Sequence, residues 1–348
     1  MKQFDIKAIN QELIEKAQHK IDFKTKPQGS LGKLESMAIK ICNIQNTLQP
    51  KIDNKNLFVF AADHGIADEG VSAFPQEVTI QMVQNFLNNG AAINVLSKHN
   101  NINLTIVDAG MKAHSIDNPS LESVKVAQGT NNFAKEEAIS LGQIEKIFAN
   151  TKNLFHKKNN AHKMDIIGLG EMGIANTTSA TAIISAITGK SVAQCTGRGT
   201  GVDDKGLANK ISVIEKALAF HNIDGNNGYD VLSKVGGYEI AAMAAMALNA
   251  AENNIIVVLD GLISTAAGLI AYQINPNVAN HFISGHKSVE QGHTYALQYM
   301  GIEPILDLDF RLGEGTGAAL TIDLADAACK IMCQMASFED AGVSGKGE

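Results

Sequence analysis

The segment Asp307–Gly317, DLDFRLGEGTG, sets one carboxylate, Glu314, between two glycines. Flanking glycines clear away neighbouring side-chain bulk, so a ligand can reach the acid, and a helix opening at Thr316 and Gly317 would hold it at the mouth of a crevice. An ordinary acid in a flexible loop is the competing reading. A second candidate is Gly168-Leu169-Gly170-Glu171-Met172-Gly173, which has the spelling of a dinucleotide fingerprint after a predicted strand. That fingerprint also needs an acid about 20 residues on, and Ser191–Thr200 (SVAQCTGRGT) has none. The segment runs instead into Asn176-Thr177-Thr178-Ser179, a hydroxyl-rich helix start whose free N–H groups suit a phosphate or carboxylate. A turn that merely brings helix and strand together would look the same.

Three other segments carry polar chemistry. Thr196–Asp204 (TGRGTGVDD) is a glycine-rich turn with an Arg and an Asp pair, followed by Lys210. Adjacent acids ahead of a helix serve as N-cap and dipole residues more often than as Mg²⁺ ligands, and we read Asp203 and Asp204 that way. In Ser284-Gly285-His286-Lys287-Ser288, His286 could act as a base; with ten histidines in the chain, a solvated or hydrogen-bonding role is preferred. Ala61-Ala62-Asp63-His64-Gly65 is a polar landmark at a strand end.

The elements that must position these residues alternate between short β-branched runs and helical stretches, the pattern of a parallel sheet flanked by helices. Asn56–Ala62, Asn103–Val107, Met164–Gly168 and Ile255–Asp260 read as strands. Thr79–Lys98, Ile144–Lys158, Ser179–Thr188, Lys205–Phe220 and Tyr238–Ala251 read as helices. In such sheets the ligand crevice lies beyond the carboxyl ends of the strands. The residues just after each run are therefore where chemistry is expected. The N-terminal 50 residues and the segment after Thr316 read as amphipathic helices that pack together, giving a large α/β domain over 30–315 and a small helical domain from 1–29 and 316–348.

A length of 348 residues with 45% hydrophobic and 19% charged residues excludes wholesale disorder and a coiled coil. The net charge of −7 argues against a nucleic-acid binder, and 5% aromatics with no Trp leave no base-stacking platform. Four cysteines make no disulfide framework and fit a reducing compartment. Met1–Lys20 lacks the apolar core of a secretory signal. The longest apolar stretch, Ile255–Ile274, is broken by Asp260 and reads as strand then helix rather than a membrane span.

Taken together, KPQGSLGKLE (26–35), AADHGIADEGVSAFPQEVTIQMVQNFL (61–87), GEMGIANTTSATA (170–182), TGRGTGVDD (196–204), VGGYEIAAM (235–243), LDGLISTAAGLIA (259–271), SGHKSVEQGH (284–293) and LDFRLGEGTGAAL (308–320) closely resemble the nicotinate-nucleotide:dimethylbenzimidazole phosphoribosyltransferases. The likeness runs in order over nearly the whole chain. It implies a Rossmann-like parallel sheet with a small helical domain, a cytoplasmic homodimer, and no metal, cofactor, nucleic-acid or membrane partner. The implied reaction moves phosphoribose from nicotinate mononucleotide to 5,6-dimethylbenzimidazole with inversion, for the lower ligand of cobalamin. A hydride-transferring NAD enzyme and a non-catalytic nucleotide-binding relative are the alternatives; the missing ribose-binding acid speaks against the first and the intact Glu314 against the second.

By the same resemblance Glu314 is the base. Glu171, Met172, Gly173, Asn176, Thr177 and Thr178 surround the nucleotide, and Lys210 and Ser288 contact phosphate or ribose. Gln81, Met82, Phe74, Leu312 and Gly313 belong to the benzimidazole side, near Ala73, where the family sometimes has serine.

Overall fold

The computed structural model describes residues 3–112, 116–199 and 201–344. Among the described residues, seven strands form one parallel sheet: β1 (Lys55–Ala62), β2 (Asn103–Gly110), β3 (Leu121–Ser123), β4 (Ile166–Met172), β5 (Ile256–Leu259), β6 (Phe282–His286) and β7 (Pro304–Leu306), in the order β3-β2-β1-β4-β5-β6-β7. The chain winds outward from β1 to β3, returns to lay β4 beside β1, and winds outward the other way. That reversal opens a crevice at the carboxyl ends of β1 and β4, where Phe60 pairs with Glu171 and Ala61 with Met172.

Burial on both faces explains the unbroken apolar runs. In β1, Leu57, Val59 and Ala61 enter one core while Phe58, Phe60 and Ala62 enter the other. The second core is covered by helices that include Leu141–Ala161, Asn176–Thr188, Tyr238–Glu252 and Leu262–Ile274; the first by Lys33–Gln45, Glu77–Leu87, Ala92–His99 and Thr316–Gln334. Alanines along Tyr238–Glu252 let that helix lie against four strands and two neighbouring helices at once. Gln11–Asp22 packs on Lys33–Gln45, and the termini meet where Thr25 N–H donates to Ala336 O and Phe338 N–H to Phe23 O, both at 3.1 Å. Thr316–Gln334 packs on Lys33–Gln45 and also lies along β4 to β7, so it serves the terminal helices and the sheet together.

Two expectations change. The helix expected over Thr79–Lys98 is two helices, Glu77–Leu87 and Ala92–His99, because Asn89 takes a left-handed φ of 60° and the Gly90 N–H donates back to Asn85 O. The glycines of the supposed fingerprint do not make a turn: Gly168 and Gly170 lie inside β4. A Cβ on Gly168 would come within 3.0 Å of Leu57, and one on Gly170 would collide with the Glu314 carbonyl oxygen. Their spacing keeps a face of β4 bare so that the Glu314 turn can rest on it.

No helix among the described residues is long and apolar enough to cross a membrane, and Ile255–Ile274 is mostly β5 and the helix after it. Cys42, Cys195, Cys329 and Cys333 are free thiols.

Candidate active site

A cavity of about 780 Å³ opens beyond β4, β5 and β6 and is bounded on its far side by residues 309–314. Glu314 stands in its wall on a turn whose three residues all have positive φ: Gly313 at 82°, Glu314 at 61° and Gly315 at 90°. Only glycine adopts such angles freely, and the left-handed region disfavours a residue with a side chain by about 1–2 kcal/mol. Packing holds the strain in place, since the turn rests on Gly170 and is tied down from behind.

The tie is Asp260, just past β5. Its Oδ2 accepts from the Gly315 N–H at 3.1 Å, and its Oδ1 accepts from Gly317 at 2.7 Å and Ala318 at 3.1 Å. One buried carboxylate thereby caps the Thr316–Gln334 helix and anchors the turn. His286 Nε2 lies 4.0 Å from Asp260 Oδ1. Of the solvated or hydrogen-bonding roles expected for His286, its 2% exposure removes the first, and the ring is buried against Asp260 and the Phe310 ring.

Glu314 itself is 6% exposed. Burial raises its pKa above the ordinary carboxylate range, the Asp260 charge adds to the rise, and an N–H bond from Ile93 opposes it. Its Oε2 has no partner. The break at Asn88–Gly90 is what makes the Ile93 contact: it turns the Ala92–His99 helix so that its N-terminus meets the acid while Ala92 and Leu96 line the cavity.

Glu171 ends β4 on the same wall. The Asn176 amide donates to its Oε2. A Cβ on Gly313 would collide with its Oε1, so only glycine allows the Glu314 turn this close. Burial pushes the Glu171 pKa up to about 8; the Asn176 bond opposes this, and the charges of Glu239, Asp260 and Glu314 reinforce it. At neutral pH Glu171 therefore carries a proton, while Glu314, as deeply buried but accepting from the Ile93 N–H, is the candidate for the ionised acid.

Across the cavity, the Asn176–Thr188 helix opens with Asn176 and Thr177 in the wall. Lys210 lies one layer behind and 1% exposed, its Nζ donating to Thr177 Oγ1 at 2.7 Å. Burial lowers its pKa to about 8. Gly199 covers the pair: a Cβ there would come within 2.8 Å of Thr177 Oγ1 and 3.2 Å of Lys210 Nζ. The Gly199 N–H donates to Glu290 Oε1 at 3.1 Å, and Ser288 Oγ accepts from the Glu290 N–H at 3.3 Å. Asp203 is the N-cap of Asp204–His221, accepting from the Gly206 N–H at 2.8 Å.

Of the residues singled out from the sequence, Phe74, Met82, Glu171, Met172, Gly173, Asn176, Thr177, Ser288, Leu312, Gly313 and Glu314 share this cavity. Thr178 is buried behind it with an unpartnered hydroxyl. Gln81 is exposed on Glu77–Leu87 and outside the lining. Asp260, Ile93 and Glu290 were missed. Asp260 had a signal, since it follows a strand directly and precedes a glycine; the Ile93 contact had none, because it is made by backbone.

A phosphoribosyltransferase family model matches residues 6–343. The nicotinate-nucleotide–dimethylbenzimidazole phosphoribosyltransferase of Geotalea uraniireducens is 49% identical over 345 residues, covering 97% of this chain and 96% of the relative. That of Roseiflexus sp. RS-1 is 48% identical over 332 residues, covering 95% and 94%. The crystal structure of CobT from Thermus thermophilus superposes with a TM-score of 0.91 at 39% identity, covering 96% of this chain and 99% of that one. With that likeness extending from end to end and the Glu314 turn set in the crevice, the chain belongs to the nicotinate-nucleotide–dimethylbenzimidazole phosphoribosyltransferase family.

Proposed function

We propose that the chain transfers phosphoribose from nicotinate mononucleotide to 5,6-dimethylbenzimidazole, giving α-ribazole 5′-phosphate and nicotinate, with Glu314 as general base. The observation that carries this reading is the Glu314 carboxylate, fixed in a strained turn with one oxygen unengaged, inside a cavity rich in acids.

The chemistry asks for few groups. Nicotinate joined to ribose is already a cationic pyridinium, so it leaves as a neutral ring nitrogen and needs no acid to protonate it. As one benzimidazole nitrogen bonds to C1′ and the C1′–pyridinium bond breaks, positive charge moves to the incoming ring. Its remaining N–H becomes acidic, and a carboxylate takes that proton. A pKa raised by burial makes Glu314 a stronger base for this step than an exposed carboxylate. Glu171, held neutral by its higher pKa, does not compete for the proton and has an O–H to donate; two acids in unlike environments take unlike roles.

The cavity's charge suits the donor. With Glu171 neutral, the carboxyl groups of Asp260, Glu290, Asp309 and Glu314 still line it against the single guanidinium of Arg311, which favours a cationic ring. The phosphate belongs at the far end, near the Asn176–Thr188 N-terminus and Lys210. Phe74, Met82 and Leu312 are apolar walls for the azole. Holding both rings on opposite sides of one sugar carbon supplies a large part of the rate enhancement. The proposal extends to a cytoplasmic homodimer, for which sedimentation of the purified protein is the test.

The activity test is one incubation. Purified protein with nicotinate mononucleotide and 5,6-dimethylbenzimidazole, without added metal, releases nicotinate and forms one α-glycosidic product. Unchanged substrates would overturn the proposal.

A further inference from the structure

A second cavity, of about 340 Å³, shares no residue with the first. It lies between the helices Leu141–Ala161, Gly228–Val235 and Tyr238–Glu252 and is lined by Phe4, Ile144, Glu145, Phe148, Ala149, Lys152, Tyr229 and Asn249. From Ile240 to Ala251, Asn249 is the single polar side chain in an otherwise apolar helix. It is 1% exposed. Its Nδ2 is spent on the Ala245 carbonyl at 2.7 Å, which fixes which end of the amide is oxygen, and that Oδ1 has no partner.

A buried acceptor left without a donor is destabilising by about 1–3 kcal/mol. An alanine at this site would avoid that penalty. The inner wall is Ile144, Phe148 and the ring of Tyr229, and the exposed Glu145 and Ala149 complete the lining with Lys152. Phe148 and Tyr229 stand with centroids 5.6 Å apart at 52°, an angled aromatic wall suited to a third ring. Glu145 and Lys152 bring opposite charges to the lining, so no net charge awaits an ionic ligand.

We propose that this cavity is a binding site for a small neutral aromatic molecule that gives one N–H or O–H to Asn249 Oδ1. Phe4, buried in the core, is the one lining residue outside the three helices. The segment around it is held by isolated side-chain bonds rather than strand pairing: Asn275 Nδ2 to Phe4 O at 2.9 Å, Asn277 Nδ2 to Ile6 O at 3.0 Å, and the Asp5 N–H to Glu252 Oε1 at 3.1 Å.

Indole is a direct probe, because the chain has no Trp and the indole emission reports its own surroundings. Titrated with the full-length protein, its larger cavity first filled with α-ribazole 5′-phosphate, indole should bind one to one with a blue-shifted emission. Benzofuran, of the same shape without the N–H, should compete about five- to tenfold more weakly, the range of one ordinary hydrogen bond. Ala149 is an exposed position, so Ala149→Phe fills the cavity without disturbing the core; it should abolish indole binding and leave turnover unchanged. Asn249→Leu should erase the difference between indole and benzofuran, and if that variant does not fold the other two comparisons decide. Absence of a blue shift, equal binding of benzofuran, or undiminished binding by Ala149→Phe would each overturn the proposal.

Discussion

The cavity that holds Glu314 has two unlike walls. The floor, at the ends of β4, β5 and β6 with the Glu314 turn tied down on them, is buried and closely held: Glu171 by Asn176, Asp260 by three N–H groups, His286 against Asp260. The rim is apolar and half open, with Phe74 52% and Leu312 58% exposed on loops outside the sheet. Groups that must hold a proton at a fixed place are built on strand ends or tied to them, where a small displacement meets close packing. Groups that only need to fit a ring sit on loops, which can change without touching the chemistry. One fold can thus keep a reaction while altering which azole it accepts.

Substitutions on the two walls should therefore differ in kind. The largest effect belongs to the floor: Glu314→Gln keeps shape and removes the base, so kcat should fall by about 10²–10⁴ while nucleotide binding, measured by titration, is retained. Lys210→Ala should raise KM for nicotinate mononucleotide by about tenfold or more, the scale of a charge-assisted hydrogen bond, with a smaller change in kcat. Because the Lys210 pKa lies at about 8, the wild-type KM should climb as pH rises past that value. The variant's KM should not.

Glu171→Gln tests the neutral acid. The Glu171 pKa stands near 8 in the folded chain against 4.5 for an unperturbed carboxyl, so between those values the native state holds a proton that the unfolded state has lost. Stability then falls as pH rises through that window. Glu171→Gln should gain Tm over wild type above pH 8 and lose the advantage below pH 4.5. The smallest effect belongs to the rim: Leu312→Ala should raise KM for the azole by about three- to fivefold, in keeping with a half-buried leucine, and leave Tm and the nucleotide KM alone. A large loss of kcat in Leu312→Ala would erase the contrast between the walls.

How much of this was legible beforehand follows from what each feature is made of. The sheet was legible because β1, β2, β4 and β5 are buried on both faces and so spelled as runs of apolar and β-branched residues. The break at Asn89 was passed over because Glu77–Leu87 and Ala92–His99 have the same period and one left-handed Asn separates them. Gly168 and Gly170 were misread for a reason internal to glycine: a sequence does not say whether a missing Cβ serves a turn, a phosphate or a neighbouring strand. Glu314 announced itself through its flanking glycines. Its anchors did not, since Asp260 is 54 residues earlier in the chain and Ile93 acts through its backbone. Gln81 shows the opposite case, a residue placed in the site by likeness to a family and found on the exposed side of its helix.

The proposed catalysis turns on where one proton goes, and an azole without that proton isolates the step. 1,5,6-Trimethylbenzimidazole can attack C1′ through its free ring nitrogen and has no N–H to surrender. Measured as the ratio of wild-type to Glu314→Gln kcat, the loss should be about 10²–10⁴ with 5,6-dimethylbenzimidazole and close to none with the methylated ring. Equal losses with both azoles would contradict Glu314 as the proton acceptor.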